Sequence, residues 1–127
     1  MSSTNPIRFV EIPVTDMDRA VLFYEAVFSV DLERQTIDGY EMALFPFDPA
    51  AHGATAALAK GDVYRPAQVG PIVYFAVDSI DSTLSRARAR GAKTLYEKKS
   101  AGDWGWVAEI EDSEGNRVAL HEAGAGA

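Results

Sequence analysis

The chain has 127 residues, 19 acidic against 12 basic, a formal net charge of −7 and no cysteine. That length sustains one compact domain with its own core. The acidic balance opposes a phosphate backbone and an anionic membrane, so neither nucleic acid nor membrane is expected as a partner. The missing cysteines remove disulfides, thiolate metal sites, iron–sulfur clusters and cysteine nucleophiles. No apolar run approaches the about 18 residues of a membrane span. The opening Met1–Pro6 lacks the charged and apolar regions of a secretory leader, so a cytoplasmic protein is expected.

In chain order, residues 1–6 read as a flexible N-terminus. Ile7 to Val14 is apolar and β-branched and suits a strand. Thr15-Asp16-Met17-Asp18 carries a capping oxygen and early acids, which start a helix. Ala20, Val21, Tyr24, Val27 and Phe28 then recur at helical spacing as far as Val30. Leu32 to Ile37 and Tyr40 to Phe47 read as a hairpin about the Asp38-Gly39 turn. Thr55 to Ala59 is a further short strand. Residues 61–70, with Pro66, form a connector.

The order then recurs. Pro71 to Val77 is a strand, and Ser79 caps a helix over Ile80 to Arg90 that ends at Gly91. Strands follow at Thr94 to Lys98, Trp104 to Glu111 and Arg117 to Glu122, with Asp112–Asn116 as a turn. Residues 123–127 form a small, flexible tail. Laid over each other at the spacing from Val10 to Val73, the halves also match Val14 with Val77, Asp18 with Asp81 and Leu32 with Leu95. Two modules of one kind are thus expected, residues 7–60 and 71–122. Each has one sheet face under a helix and one left open, and paired modules make a cup for a ligand.

The stretch Phe9–Ala20 with Phe23-Tyr24 and Val27-Phe28 resembles the opening of glyoxalase/bleomycin-resistance/dioxygenase proteins, the vicinal oxygen chelate superfamily. So do Val73–Asp81 and Asp112–His121. The resemblance spans residues 7–122 and is similar to a bacterial lactoylglutathione-lyase-related subgroup. It implies an α+β fold of two paired βαβββ modules forming a cupped mixed sheet, in a homodimer. Its activities range over lyases, isomerases, dioxygenases, thiol transferases and drug-sequestering proteins, so fold alone does not choose among them.

Metal-dependent members place ligands on the first and fourth strands of each module. Carried over, these positions fall on Phe9, Ile72, Ala119 and the strand near Thr55 to Leu58, where there is no carboxylate or imidazole. No metal or other cofactor is therefore expected. The two histidines are His52, in a loop, and His121, on the last strand, too few for a conventional two-histidine iron site without a loop ligand.

Alternation along a strand puts Glu11 on the face of Phe9, Tyr74 on that of Ile72 and His121 on that of Ala119. Glu11, Tyr74 and His121 are the candidate catalytic set: two proton-transfer groups and a hydroxyl donor to a carbonyl or enolate oxygen. The plainer reading has Glu11 and His121 satisfying each other and Tyr74 filling the core. Phe9, Ile72 and Ala119 are expected to line the pocket. Trp104 and Trp106, two apart on one strand, form an aromatic wall or ordinary packing. Arg65, beside Tyr64 in the connector, is placed to hold a substrate anion or simply to be solvated. Two functions remain open: a metal-independent enzyme acting on a small carbonyl compound, and a protein that sequesters a small molecule without turning it over. A metal-dependent lyase or dioxygenase is a third reading on the resemblance alone.

Overall fold

A computed structural model describes residues 5–124; the expected flexible ends at residues 1–4 and 125–127 lie outside them. Strand β1 (Phe9–Val14) leads into helix α1 (Met17–Phe28), then β2 (Glu33–Ile37), β3 (Tyr40–Leu44) and β4 (Thr55–Lys60). The second round runs β5 (Val73–Ala76), α2 (Ile80–Ala89), β6 (Thr94–Ser100), β7 (Trp106–Glu111) and β8 (Arg117–Glu122). The sheets have strand orders β1-β4-β3-β2 and β5-β8-β7-β6, so each is mixed, with one parallel pair and two antiparallel ones. The order βαβββ, twice, is the α+β architecture the sequence implies.

Local chemistry sets the element ends. Asp16 accepts from the Arg19 N–H at 3.0 Å and Ser79 from the Ser82 N–H at 3.1 Å, so both helices start on the expected caps. Asp38 and Gly39 both have positive φ, 53° and 79°, which makes the tight β2–β3 turn. The elements differ from expectation mainly at their ends. The first helix stops at Phe28, where Ser29 adopts a left-handed conformation. The seventh strand begins at Trp106 rather than Trp104, because Gly102–Trp104 forms a separate 3₁₀ turn.

One core joins the two rounds. Ile12 and Val14 of β1, Tyr24 and Val27 of α1, and Leu58 of β4 pack with Ile80 and Leu84 of α2, Ile110 of β7 and Leu120 of β8. Helix α1 lies against β3 and β4, α2 against β6, β7 and β8, and the helices pack on each other. Each sheet therefore turns its helix-covered side toward the shared core and leaves its other side open.

The modules are also clasped at the β7–β8 turn. The Glu114 carboxylate accepts from the backbone N–H groups of Thr15 and Asp16, both at 2.9 Å, and from the Arg19 guanidinium at 2.8 Å. Burial opposes its ionisation. The hydrogen bonds from Arg19, Asp16, Thr15 and Ser113 outweigh that and hold its pKa at about 2. Beside it the fully buried Tyr24 hydroxyl donates to Asp112 at 2.6 Å, and Asn116 donates both to Asp112 and to the Pro13 carbonyl. Burial is the main cause of raised pKa values at both Tyr24 and Asp112.

Candidate functional site: two open sheet faces

Side-chain parity assigns the open faces as expected. On the first sheet Phe9 and Glu11 point away from the core that takes Val10, Ile12 and Val14. Met42, Ala57 and Ala59 are buried on that open side, under Tyr40, Leu44 and the connector residue Tyr64. Tyr64 stands edge-on to Tyr40, with centroids 5.3 Å apart, and its hydroxyl donates to Glu11 at 3.0 Å. The Glu11 carboxylate is thus engaged by the connector. Arg65, next along, is exposed.

The second open face is built on β5 and β8. Ile72 and Tyr74 lie on the side opposite Phe75 and Val77, which pack into the core. Tyr74 is level with Ala119, and Ala76 with His121. Ala119 is fully buried, so it offers a ligand no surface, contrary to the sequence expectation. Larger side chains dominate this face. Trp104 lies 4.2 Å from the His121 ring and 5.7 Å from Tyr74, centroid to centroid. Exposure is 37% at Ile72, 45% at Tyr74 and 56% at Trp104, so the aromatic surface is presented to solvent. His121 Nε2 bonds the Trp104 carbonyl at 2.5 Å.

Gly105 makes this presentation possible. Its φ is 110°, and a Cβ there would stand 2.1 Å from the Glu122 carbonyl oxygen. Only glycine lets the turn close onto the end of β8 and bring Trp104 over His121. The same turn separates the two tryptophans, which the sequence reading had placed together on one strand face. Trp106 instead shares the side of Ala108 and Ile110, and the Lys98 ammonium lies 5.0 Å from its ring. Lys98 also reaches Asp81 on α2, at 3.1 Å.

The candidate catalytic groups are therefore divided. Tyr74 and His121 meet around Trp104. Glu11 is held by Tyr64 on the other sheet, and among the described residues no hydrogen bond joins it to either of them. The Glu109–Arg117 ion pair also belongs to the second face. Its signal in the sequence is the parity of Arg117 with Ala119 and His121. A cavity of about 450 Å³ lies elsewhere, between the end of α1 and the start of α2, lined by Phe28, Phe75, Ser79 and Arg86 among others. His52 lines a second one of about 330 Å³ in the β3–β4 loop.

The sequence profile of the Glyoxalase/Bleomycin resistance protein/Dioxygenase superfamily matches residues 7–120. The chain belongs to that superfamily. No curated protein matches it in sequence. Among solved structures it is similar to TnmS3, an antibiotic binding protein from Streptomyces sp. CB03234, at 21% identity and a TM-score of 0.69, over 98% of this chain and 100% of that one. It is also similar to FosX, a fosfomycin resistance protein from Listeria monocytogenes, at 15% identity and a TM-score of 0.72, over 96% and 94%. Glyoxalase I from Zea mays, as its V278E mutant, gives 17% identity and a TM-score of 0.68 over 92% of this chain but 46% of that one. At these identities the likeness is one of fold.

Membership raises the question of a metal. The carried-over positions Phe9, Ile72 and Ala119 supply hydrocarbon and no lone pair, and Thr55–Leu58 holds no carboxylate or imidazole. Among the described residues no group of three or more His, Asp or Glu side chains is placed to hold an ion. The donor set does not fit the superfamily's metal.

Proposed function

We propose that this protein binds a small organic molecule at the open face formed by Ile72, Tyr74, Trp104 and His121, and holds it without a metal. The observation that carries this reading is the exposed aromatic surface set by Gly105 beside one imidazole. Aromatic rings present large apolar area at little entropic cost, and a few polar atoms orient what they hold. TnmS3, a structural neighbour, is described as an antibiotic binding protein, which fits sequestration of a molecule of that kind here.

Acid–base chemistry on a carbonyl compound is the second reading. It needs Glu11 and His121 to reach one ligand from different sheets. A homodimer supplies that arrangement when the first face of one copy meets the second face of its partner and closes the cup. Phe9, Ile72, Tyr74 and Trp104 are all exposed apolar residues that such pairing would cover. The setting in both readings is cytoplasmic.

A thermal-shift panel of antibiotics and carbonyl metabolites, with mass spectrometry of each compound afterwards, tests the proposal. Sequestration expects a compound that raises Tm and is recovered intact. Consumption of the compound, lost in E11Q and H121A variants, establishes the acid–base reading. If every stabilising compound keeps its effect in Y74A and W104A, the ligand site lies elsewhere. Sedimentation then reads the dimer.

A further inference from the structure

The hydrogen bond at His121 restricts what the proposed face can hold. The Trp104 carbonyl can only accept, so the Nε2 atom 2.5 Å from it carries the proton. In the neutral imidazole Nδ1 is then an acceptor. Among the described residues Nδ1 has no hydrogen-bond partner. Ala76, directly opposite His121 on β5, is exposed and too small to cover the ring. Beside it stand the exposed rings of Tyr74 and Trp104. The acceptor is thus fixed in tautomer by a backbone carbonyl and bordered by aromatic surface.

We infer that the ligand is a planar aromatic molecule carrying a hydrogen-bond donor, a phenolic hydroxyl or ring N–H, directed at His121 Nδ1. This rests on the proposed binding face and deepens it by naming the ligand class. The ring would cover Tyr74 and the edge of Trp104, and the donor would satisfy the one open position of the imidazole. A ligand offering only acceptors would desolvate Nδ1 without replacing its hydrogen bond to water, which penalises it.

The test uses 1-naphthol and 1-methoxynaphthalene, equal in aromatic surface and different in one donor. Binding is read from Trp104 fluorescence in a W106F protein, since Trp106 lies on the other side of the sheet. Naphthol is expected to bind roughly three- to tenfold more tightly than the ether, the size of one neutral hydrogen bond. H121N keeps an acceptor near the Nδ1 position and is expected to retain the preference. H121Q keeps a donor toward Trp104 but no acceptor there, and is expected to bind both probes alike. Long-range ¹⁵N–¹H correlation of the imidazole nitrogens in the unsubstituted protein is expected to show the Nε2–H tautomer. Equal binding of the two probes, or the Nδ1–H tautomer, overturns the inference. Failure of both probes to bind overturns the aromatic-donor class, while a stabilising compound from the broader panel that is lost in W104A would still support the binding face.

Discussion

The two modules share an element order but use their open faces differently. On the first sheet the connector folds back, Tyr64 closes over Tyr40 and Glu11, and Met42, Ala57 and Ala59 become a small buried cluster. On the second sheet Tyr74 and Trp104 stay in solvent around His121. One module thus covers its open face with the connector, and the other leaves its aromatic residues exposed. The two helix starts are treated alike: Glu114 docks on the start of α1, and Glu122 accepts from the Ile80 N–H at 2.8 Å at the start of α2, which also borders a cavity.

The comparison breaks most severely at Gly105. Alanine there meets the Glu122 carbonyl in a left-handed backbone, and G105A is expected to cost about 3 kcal/mol and displace Trp104. Urea unfolding measures the first effect and Trp104 fluorescence the second. E114A removes the carboxylate that holds the Thr15 and Asp16 N–H groups just ahead of α1 and leaves the Arg19 guanidinium without it; a loss of about 2 kcal/mol is expected, with the second face's ligand binding retained if the protein stays folded. The same carboxylate sets an acid limit. Its folded pKa, about 2, lies below the ordinary 4.5, so its stabilisation is complete above about pH 4.5 and is lost as pH falls toward 2. Asp112, whose pKa burial raises, works in the opposite direction, so E114Q is expected to flatten the fall in Tm over that window.

Smaller effects sharpen the division between faces. W104A removes an exposed ring and is expected to change stability by less than about 0.5 kcal/mol while weakening aromatic ligands about tenfold. Y64F removes the solvent-exposed hydrogen bond to Glu11 and is expected to lower the urea midpoint only slightly, without changing ligand affinity. Equal losses of affinity from W104A and Y64F would contradict the separate roles of the faces.

Much of this was legible from local sequence. Asp16 and Ser79 cap as expected, Asp38-Gly39 turns, and strict alternation places Phe9 with Glu11 and Ile72 with Tyr74. What alternation cannot supply is contact between distant segments. Glu114 reaches Thr15 and Asp16 across almost the whole chain, and Tyr64 reaches Glu11 from the connector. Trp104 looked like a strand residue two before Trp106. Positive φ at Gly102 and Gly105 takes it out of the strand, and the Gly105 approach to Glu122 depends on tertiary closure. Ala119 was rightly placed on the open side, but its burial depends on larger neighbours that parity does not rank.

The most direct test of the binding face is residue-resolved NMR of the ¹⁵N-labelled protein titrated with 1-naphthol. Saturable shifts centred on Ile72, Tyr74, Trp104 and His121, with the environment of Phe28 and Arg86 unmoved, are the expected result. Shifts confined to the cavity between the helices, or to Met42 and Tyr64 on the first sheet, would contradict the account.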